Sequence, residues 1–176
     1  MIVEIPQGSR NKYEMDHDTG AIWLDRTLFT ATQYPLDYGF FPGTHGEDGD
    51  PLDALVWLSQ PTFPGCHVWV RPVAVFWMSD EKGPDAKVFC VSSNDPRMNP
   101  YVDIEDLPEH LLDEVGNFFG FLVRVEHVEE GGRVAEVEVG LFVFLLQDLQ
   151  DAQDFARAFV DVSGLVGGLV AKPLPL

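Results

Sequence analysis

The N-terminal half of the chain breaks into short apolar or alternating runs separated by Gly, Pro and Asp, a pattern of strands and turns. Residues 2–5 predict a short strand. Residues 12–16 and 21–25 predict a hairpin that turns at Asp18-Thr19-Gly20. The stretch from Tyr34 to Gly43 holds too much Pro and Gly for a long helix and predicts a packed aromatic connection, with a short strand near Tyr38. Residues 53–58 predict an apolar strand. Residues 66–78 predict a long one, in which Pro72 marks a bulge or a sheet edge. A charged turn over 79–85 leads into a return strand at 86–91. Strands this short, with turns this close together, predict a small closed barrel.

The period then changes. Asp106-Leu107-Pro108-Glu109 predicts a helix start, with Asp near the cap and Pro in the first turn. Leu111, Leu112, Val115, Phe118 and Phe119 follow at helical spacing and form one apolar face. Alternation returns at 123–127 and 134–139 around Glu130-Gly131-Gly132, predicting a second hairpin. Residues 147–159 predict a last helix before a loose Pro-rich tail. The length suits one domain over residues 1–176.

Charge narrows the possible partners. Lys and Arg number 11 against 29 Asp and Glu, a net charge of -18. Phosphate-backbone binding needs a basic surface, so nucleic acid is not the expected partner, whereas divalent cations fit. No apolar window is long enough to span a membrane and no basic leader opens the chain, so a cytoplasmic protein without membrane association is expected. Cys66 and Cys90 lie in apolar runs and are expected as free thiols. The histidines show no metal-ligand spacing. Trp23, Trp57, Trp69 and Trp77 are expected in the core or at an interface.

The candidate chemistry centres on Asp48-Gly49-Asp50-Pro51-Leu52-Asp53, three carboxylates around a forced turn. Carboxylates that close need a counter-charge, and a hard dication bound through oxygen supplies one. A calcium-binding EF-hand loop starting at Asp48 would need Gly and Glu where Asp53 and Ser59 stand. An aspartyl-nucleophile phosphatase would need an apolar strand before the first Asp, and neither a GxxxxGK[ST] loop nor a GxSxG elbow is present. A second acidic pair, Asp80 and Asp85, brackets a turn. Asp85 and Lys87 stand two residues apart, as do Lys12 and Glu14, so on strands each acid and lysine share a face. Acids beside cations suit a metal–phosphate substrate.

These motifs, with Glu4-Ile5-Pro6, Lys12-Tyr13-Glu14, Leu24-Asp25-Arg26, Tyr34 to Phe40, Arg71-Pro72-Val73, Asp85-Ala86-Lys87 and Phe118-Phe119 in order, resemble the soluble family I inorganic pyrophosphatases of bacterial type over about the first 120 residues. The resemblance implies a mainly β fold, an OB-like five-stranded β-barrel with flanking α-helices. It implies Mg²⁺-dependent hydrolysis of pyrophosphate to two phosphates by direct attack of water, with several ions per site and Mn²⁺ or Zn²⁺ able to substitute. By position, Asp48, Asp53, Asp85, Asp80 and Glu4 would hold metal, and Asp50 would be the general base. Lys12, Arg26, Tyr38 and Lys87 would hold substrate, with Tyr38 and Asp85 also counted as catalytic and Glu14 and Tyr34 in support. The resemblance also implies a homo-oligomer, a hexamer.

The family's Tyr-Lys pair after the helix is replaced by Leu122 and Val123 in a gapless match, or by Glu126 and His127 in an alternative one. The alternative reading is therefore an impaired homologue that binds divalent metal or phosphate. The loss of match near residue 120 points to a reading-frame change or recombination in the gene.

Overall fold

A computed structural model describes residues 1–46, 49–80, 83–129 and 139–142. Its strands are β1 (Ile2–Ile5), β2 (Asn11–Met15), β3 (Ile22–Thr27), β4 (Asp37–Phe40), β5 (Asp53–Trp57), β6 (Val70–Asp80), β7 (Gly83–Ser92) and β8 (Val139–Phe142). One long helix, α1 (Glu109–Glu129), follows two 3₁₀ turns at Pro96–Met98 and Ile104–Asp106. The main sheet has six strands in the order β1-β4-β5-β7-β6-β8, and β2 and β3 form a separate hairpin. Among the described residues the pairings leave the main sheet open between β1 and β8.

The central strands are buried on both faces, and their alternation divides two apolar layers. Leu55, Phe76 and Phe89 point to one side, where Leu111, Val115, Phe118 and Phe119 of α1 cover them. Ala54, Val56, Val75, Val88 and Cys90 point to the other, against Phe41 and Leu52. β5 and β7 pair in parallel, Asp53 opposite Lys87. Parallel strands covered on both faces read as continuous apolar runs, which is how Ala54 to Trp57 and Val88 to Val91 read.

Several sequence expectations hold with adjustments. Pro72 sits at a bulge: the register of β6 against β7 shifts between Pro72 and Ala74, and among the described residues β8 pairs β6 over Val75 to Met78. β6 begins at Val70, not at residue 66. Residues 65–68 turn aside to bond β1, through Val3 N–H to the Cys66 carbonyl at 2.9 Å and Val68 N–H to the Met1 carbonyl at 3.0 Å. That contact covers an otherwise open strand edge. The turn expected over 79–85 is mostly strand, because ladder bonds carry β6 to Asp80 and resume at Gly83. Asp106 closes the 3₁₀ turn, accepting the N–H groups of Val102 and Asp103 at 2.9 Å, and the Pro108 carbonyl accepts the first bond of α1. Cys66 and Cys90 are free. Trp23 and Trp69 are well exposed, at 64% and 78%, so neither is a core residue.

The hairpin expected from residue 123 is not formed: residues 123–129 are the last turns of α1. Val123 and Val125 favour strands, but extending a helix already nucleated and docked costs less than starting a new strand. β8 pairs with β6 instead. The helix expected at 147–159 and the tail lie outside the described residues.

Two anchors fix the sheet beneath the candidate site. Asp37 is buried and accepts Gln7 N–H at 2.7 Å and Thr62 N–H at 2.8 Å. At Gly39, an added Cβ would stand 2.0 Å from the Ile2 carbonyl oxygen of the neighbouring strand. Backbone cannot yield cheaply there, so Gly39→Ala is expected to cost about 3 kcal/mol, read as a lower urea midpoint. An unchanged midpoint would show that β1 moves aside freely.

Candidate active site

The site lies at the rim of the sheet face that α1 covers. β4, β5 and β7 are neighbours, and their registers pair Tyr38 with Leu55, and Asp53 with Lys87. Asp85 precedes Lys87 by two positions, so Tyr38, Asp53, Asp85 and Lys87 share one face. The Lys87 ammonium donates to Asp53 Oδ2 at 2.7 Å and to Asp85 Oδ2 and Oδ1 at 2.9 and 3.1 Å. Tyr38 OH donates to Asp53 Oδ2 at 2.5 Å and lies 3.4 Å from Lys87 Nζ. Lys87 is buried, only 5% exposed. Burial works against its charge, but Asp53 and Asp85 outweigh it and hold its pKa above that of an ordinary lysine. Burial and the Asp53 charge push the Tyr38 phenol well above its ordinary value, so it remains a proton donor.

The hairpin carries two further candidates. Lys12 pairs across it with Arg26, bonds Glu14 at 2.9 Å, and stands clear of the sheet's own ladder. Arg26 bonds Asp25 at 2.8 Å. Glu4 of β1 ties this hairpin to the sheet: its Oε1 accepts Met15 N–H at 2.8 Å. Burial raises the Glu4 carboxyl from an ordinary 4.5 to about 7; the Met15 bond opposes the rise, Glu14 and Asp53 add to it, and Lys12 reduces it. The folded protein thus favours a protonated Glu4. Below pH 4.5 the group costs nothing; as pH rises to 7 the metal-free protein should lose up to about 3 kcal/mol of stability. Denaturant midpoints at intervals across that window check this. The Glu4→Gln variant should lack the fall, and an equal fall in both proteins would assign it elsewhere.

Of the remaining candidates, Tyr34 is buried with its ring 5.6 Å from that of Tyr38 and 4.7 Å from that of Phe118. Asp50 is exposed on the loop joining β4 to β5. The neck of that loop is closed by Thr44, whose hydroxyl donates to the Phe41 carbonyl at 2.7 Å and accepts Leu52 N–H at 2.8 Å. Gly46 N–H donates to the Asp50 carbonyl at 2.6 Å, and Gly49 turns the loop with a positive φ of 91°. Asp48 lies outside the described residues. Asp80 ends β6 opposite Gly83, and its side chain is likewise outside the description. Leu122, Val123, Glu126 and His127 all fall within α1, so both alignments of the missing Tyr-Lys pair land on helix. Sequence reasoning assigned no site role to Asp37, Thr44 or Phe119. The first two are anchors whose partners lie far along the chain; Phe119 had a signal, its place on the apolar face of α1, but that signal also describes any core residue.

Among the described residues, no three acidic, imidazole or thiol side chains gather into a metal-binding group. The donor chemistry nonetheless suits a hard dication. Asp53 and Asp85 converge on one cation, and Glu4 is a buried carboxyl destabilised by neighbouring negative charge. Oxygen donors beside a lysine, on the rim of a mainly β sheet, are the kind of chemistry that a metal-assisted phosphoryl-transfer site would need.

The chain belongs to the inorganic pyrophosphatase family, whose sequence model matches residues 1–139. That match runs past residue 120, where the resemblance read from motifs stops. The inorganic pyrophosphatase of Leifsonia xyli is 51% identical over 143 residues, covering 78% of this chain and 88% of that protein. The crystal structure of an inorganic pyrophosphatase from Thermus thermophilus superposes with a TM-score of 0.71 at 46% identity, over 81% of this chain and 78% of its own. One from Anaplasma phagocytophilum, described as an inorganic phosphatase, gives 0.77 at 38% identity over 93% and 91%. The fold is the OB-like one of these relatives, with six strands in the main sheet and a separate hairpin. Membership implies a divalent-metal-dependent enzyme that hydrolyses pyrophosphate.

Proposed function

We propose that this chain hydrolyses inorganic pyrophosphate to two phosphates by direct attack of water, with Mg²⁺ as the working ion and Mn²⁺ or Zn²⁺ as substitutes. The observation that carries the reading is the Lys87 ammonium seated between Asp53 and Asp85 beside Tyr38. Asp53 and Asp85 would hold the dication, with Asp48, Asp80 and Glu4 completing its shells. When bound, such ions acidify water and neutralise phosphate oxygens. Lys87 and the Tyr38 phenol would hold oxygens of one phosphate, and Lys12 and Arg26 of the other, with Glu14 and Tyr34 shaping their positions. Asp50, exposed on its loop, would accept the proton as the water oxygen bonds to phosphorus and the bridging P–O bond breaks. The leaving phosphate then departs onto cations, with no covalent intermediate.

Phosphate release from pyrophosphate, with Mg²⁺ and with chelator, tests this. Metal-dependent release supports it. Binding of Mg²⁺ and phosphate without release would instead favour the impaired homologue that the residues at 122 and 123 suggest. Residues 1–176 would act as one domain in the cytoplasm, which the two free cysteines suit. No helix among the described residues is long and apolar enough to cross a membrane. The active form would be a homo-oligomer, a hexamer by family likeness; light scattering that found a monomer at full activity would refute this.

A further inference from the structure

We propose that Phe119 is a positioning residue for the reaction: its ring holds the Lys87 ammonium in the site by cation–π attraction without itself occupying any of the N–H donors for which phosphate must compete. The inference rests on the functional reading above. Lys87 Nζ lies over the faces of two rings, those of Phe119 and Tyr38, each at 5.4 Å to the centroid. Phe119 is buried at 2% exposure and wedged against Phe76 at 5.6 Å and Phe118 at 5.1 Å, so its ring has no room to turn away. A carboxylate steadies an ammonium by occupying an N–H. An aromatic face steadies it through the ring quadrupole and occupies none. Asp53, Asp85 and, at 3.4 Å, the Tyr38 hydroxyl already take donors from Lys87. A further polar partner in place of Phe119 would compete directly with substrate oxygen; the ring does not. Phe119 also binds α1 to the site, because its neighbours on the helix carry the core.

Replacing Phe119 by mono-, di- and trifluorophenylalanine keeps its shape and drains its face of negative charge stepwise. With Mg²⁺ saturating, KM for pyrophosphate is expected to rise in steps to about 3- to 10-fold, while kcat and Tm stay within about twofold. The Kd of inorganic phosphate, read by calorimetry, should climb in the same steps. Phe119→Leu should raise both constants at least as far; if it does not fold, the fluorinated series still decides. Flat KM and Kd across the series would reduce Phe119 to packing and overturn the proposal. If the wild-type chain failed to hydrolyse pyrophosphate, the functional reading would fall alone, and the phosphate affinities would still judge Phe119.

Discussion

Lys87→Met should lower kcat/KM for pyrophosphate by about 10²–10³-fold and destabilise the metal-free protein by about 2–3 kcal/mol. Methionine keeps much of the unbranched stem that packs in the core and removes the charge. Two carboxylates then face each other without their shared cation, at 2.7 and 2.9 Å from where it stood. Removing one partner of a buried pair costs more than this, but Asp53 and Asp85 retain 29% and 33% side-chain exposure, and water relieves part of the penalty. The two losses should also respond differently to Mg²⁺. A dication can replace the missing charge between the carboxylates, so added Mg²⁺ should restore stability more in the variant than in the wild type. It cannot replace the N–H donors, so activity should stay low. Urea midpoints and initial rates across a Mg²⁺ series read both. Activity within about threefold of wild type would remove Lys87 from the substrate site.

Asp50→Asn should show the reverse signature. The side chain is exposed and its loop is held by other groups, namely the Thr44 hydroxyl and the Gly46 bond to the Asp50 carbonyl. Stability should therefore move by less than about 1 kcal/mol. If Asp50 takes the proton from the attacking water, turnover should fall by about 10²–10⁴-fold, since an amide cannot accept it. The Mg²⁺ affinity of the variant should change by less than about tenfold, because one ligand set remains. Turnover near wild type would mean another group is the base. A collapse of Mg²⁺ affinity would mean Asp50 is a ligand.

The strands, the first hairpin and the shared face of Asp85 and Lys87 were legible in the sequence because each depends on neighbours a few residues apart. The bond between Lys87 and Asp53 was not: it joins residues 34 positions apart, and only the parallel register of β5 and β7 brings them together. The same limit hid the grip of Asp37 on Thr62, 25 positions away. Val123 to His127 misled for a different reason. Alternating valines describe a strand locally, and the docked helix that precedes them decides the outcome. The exposure of Trp23 and Trp69 was also beyond reach, since a large apolar residue carries no mark of its exposure.

The parallel pairing of β5 with β7 also orders the events of folding. Parallel neighbours cannot close through a tight turn, and here the whole of β6 stands in the chain between β5 and β7, so β7 must be made and turned back on β6 before it can meet β5. Loop-closure entropy must be met before any of these distant contacts repays it. Asp53 emerges early during synthesis and waits without its counter-charge until Lys87 has been made. The pairing of acid with cation is thus acquired only once residue 87 has been made, and a product truncated before it carries the acidic signature without the Lys87 charge that joins Asp53 to Asp85.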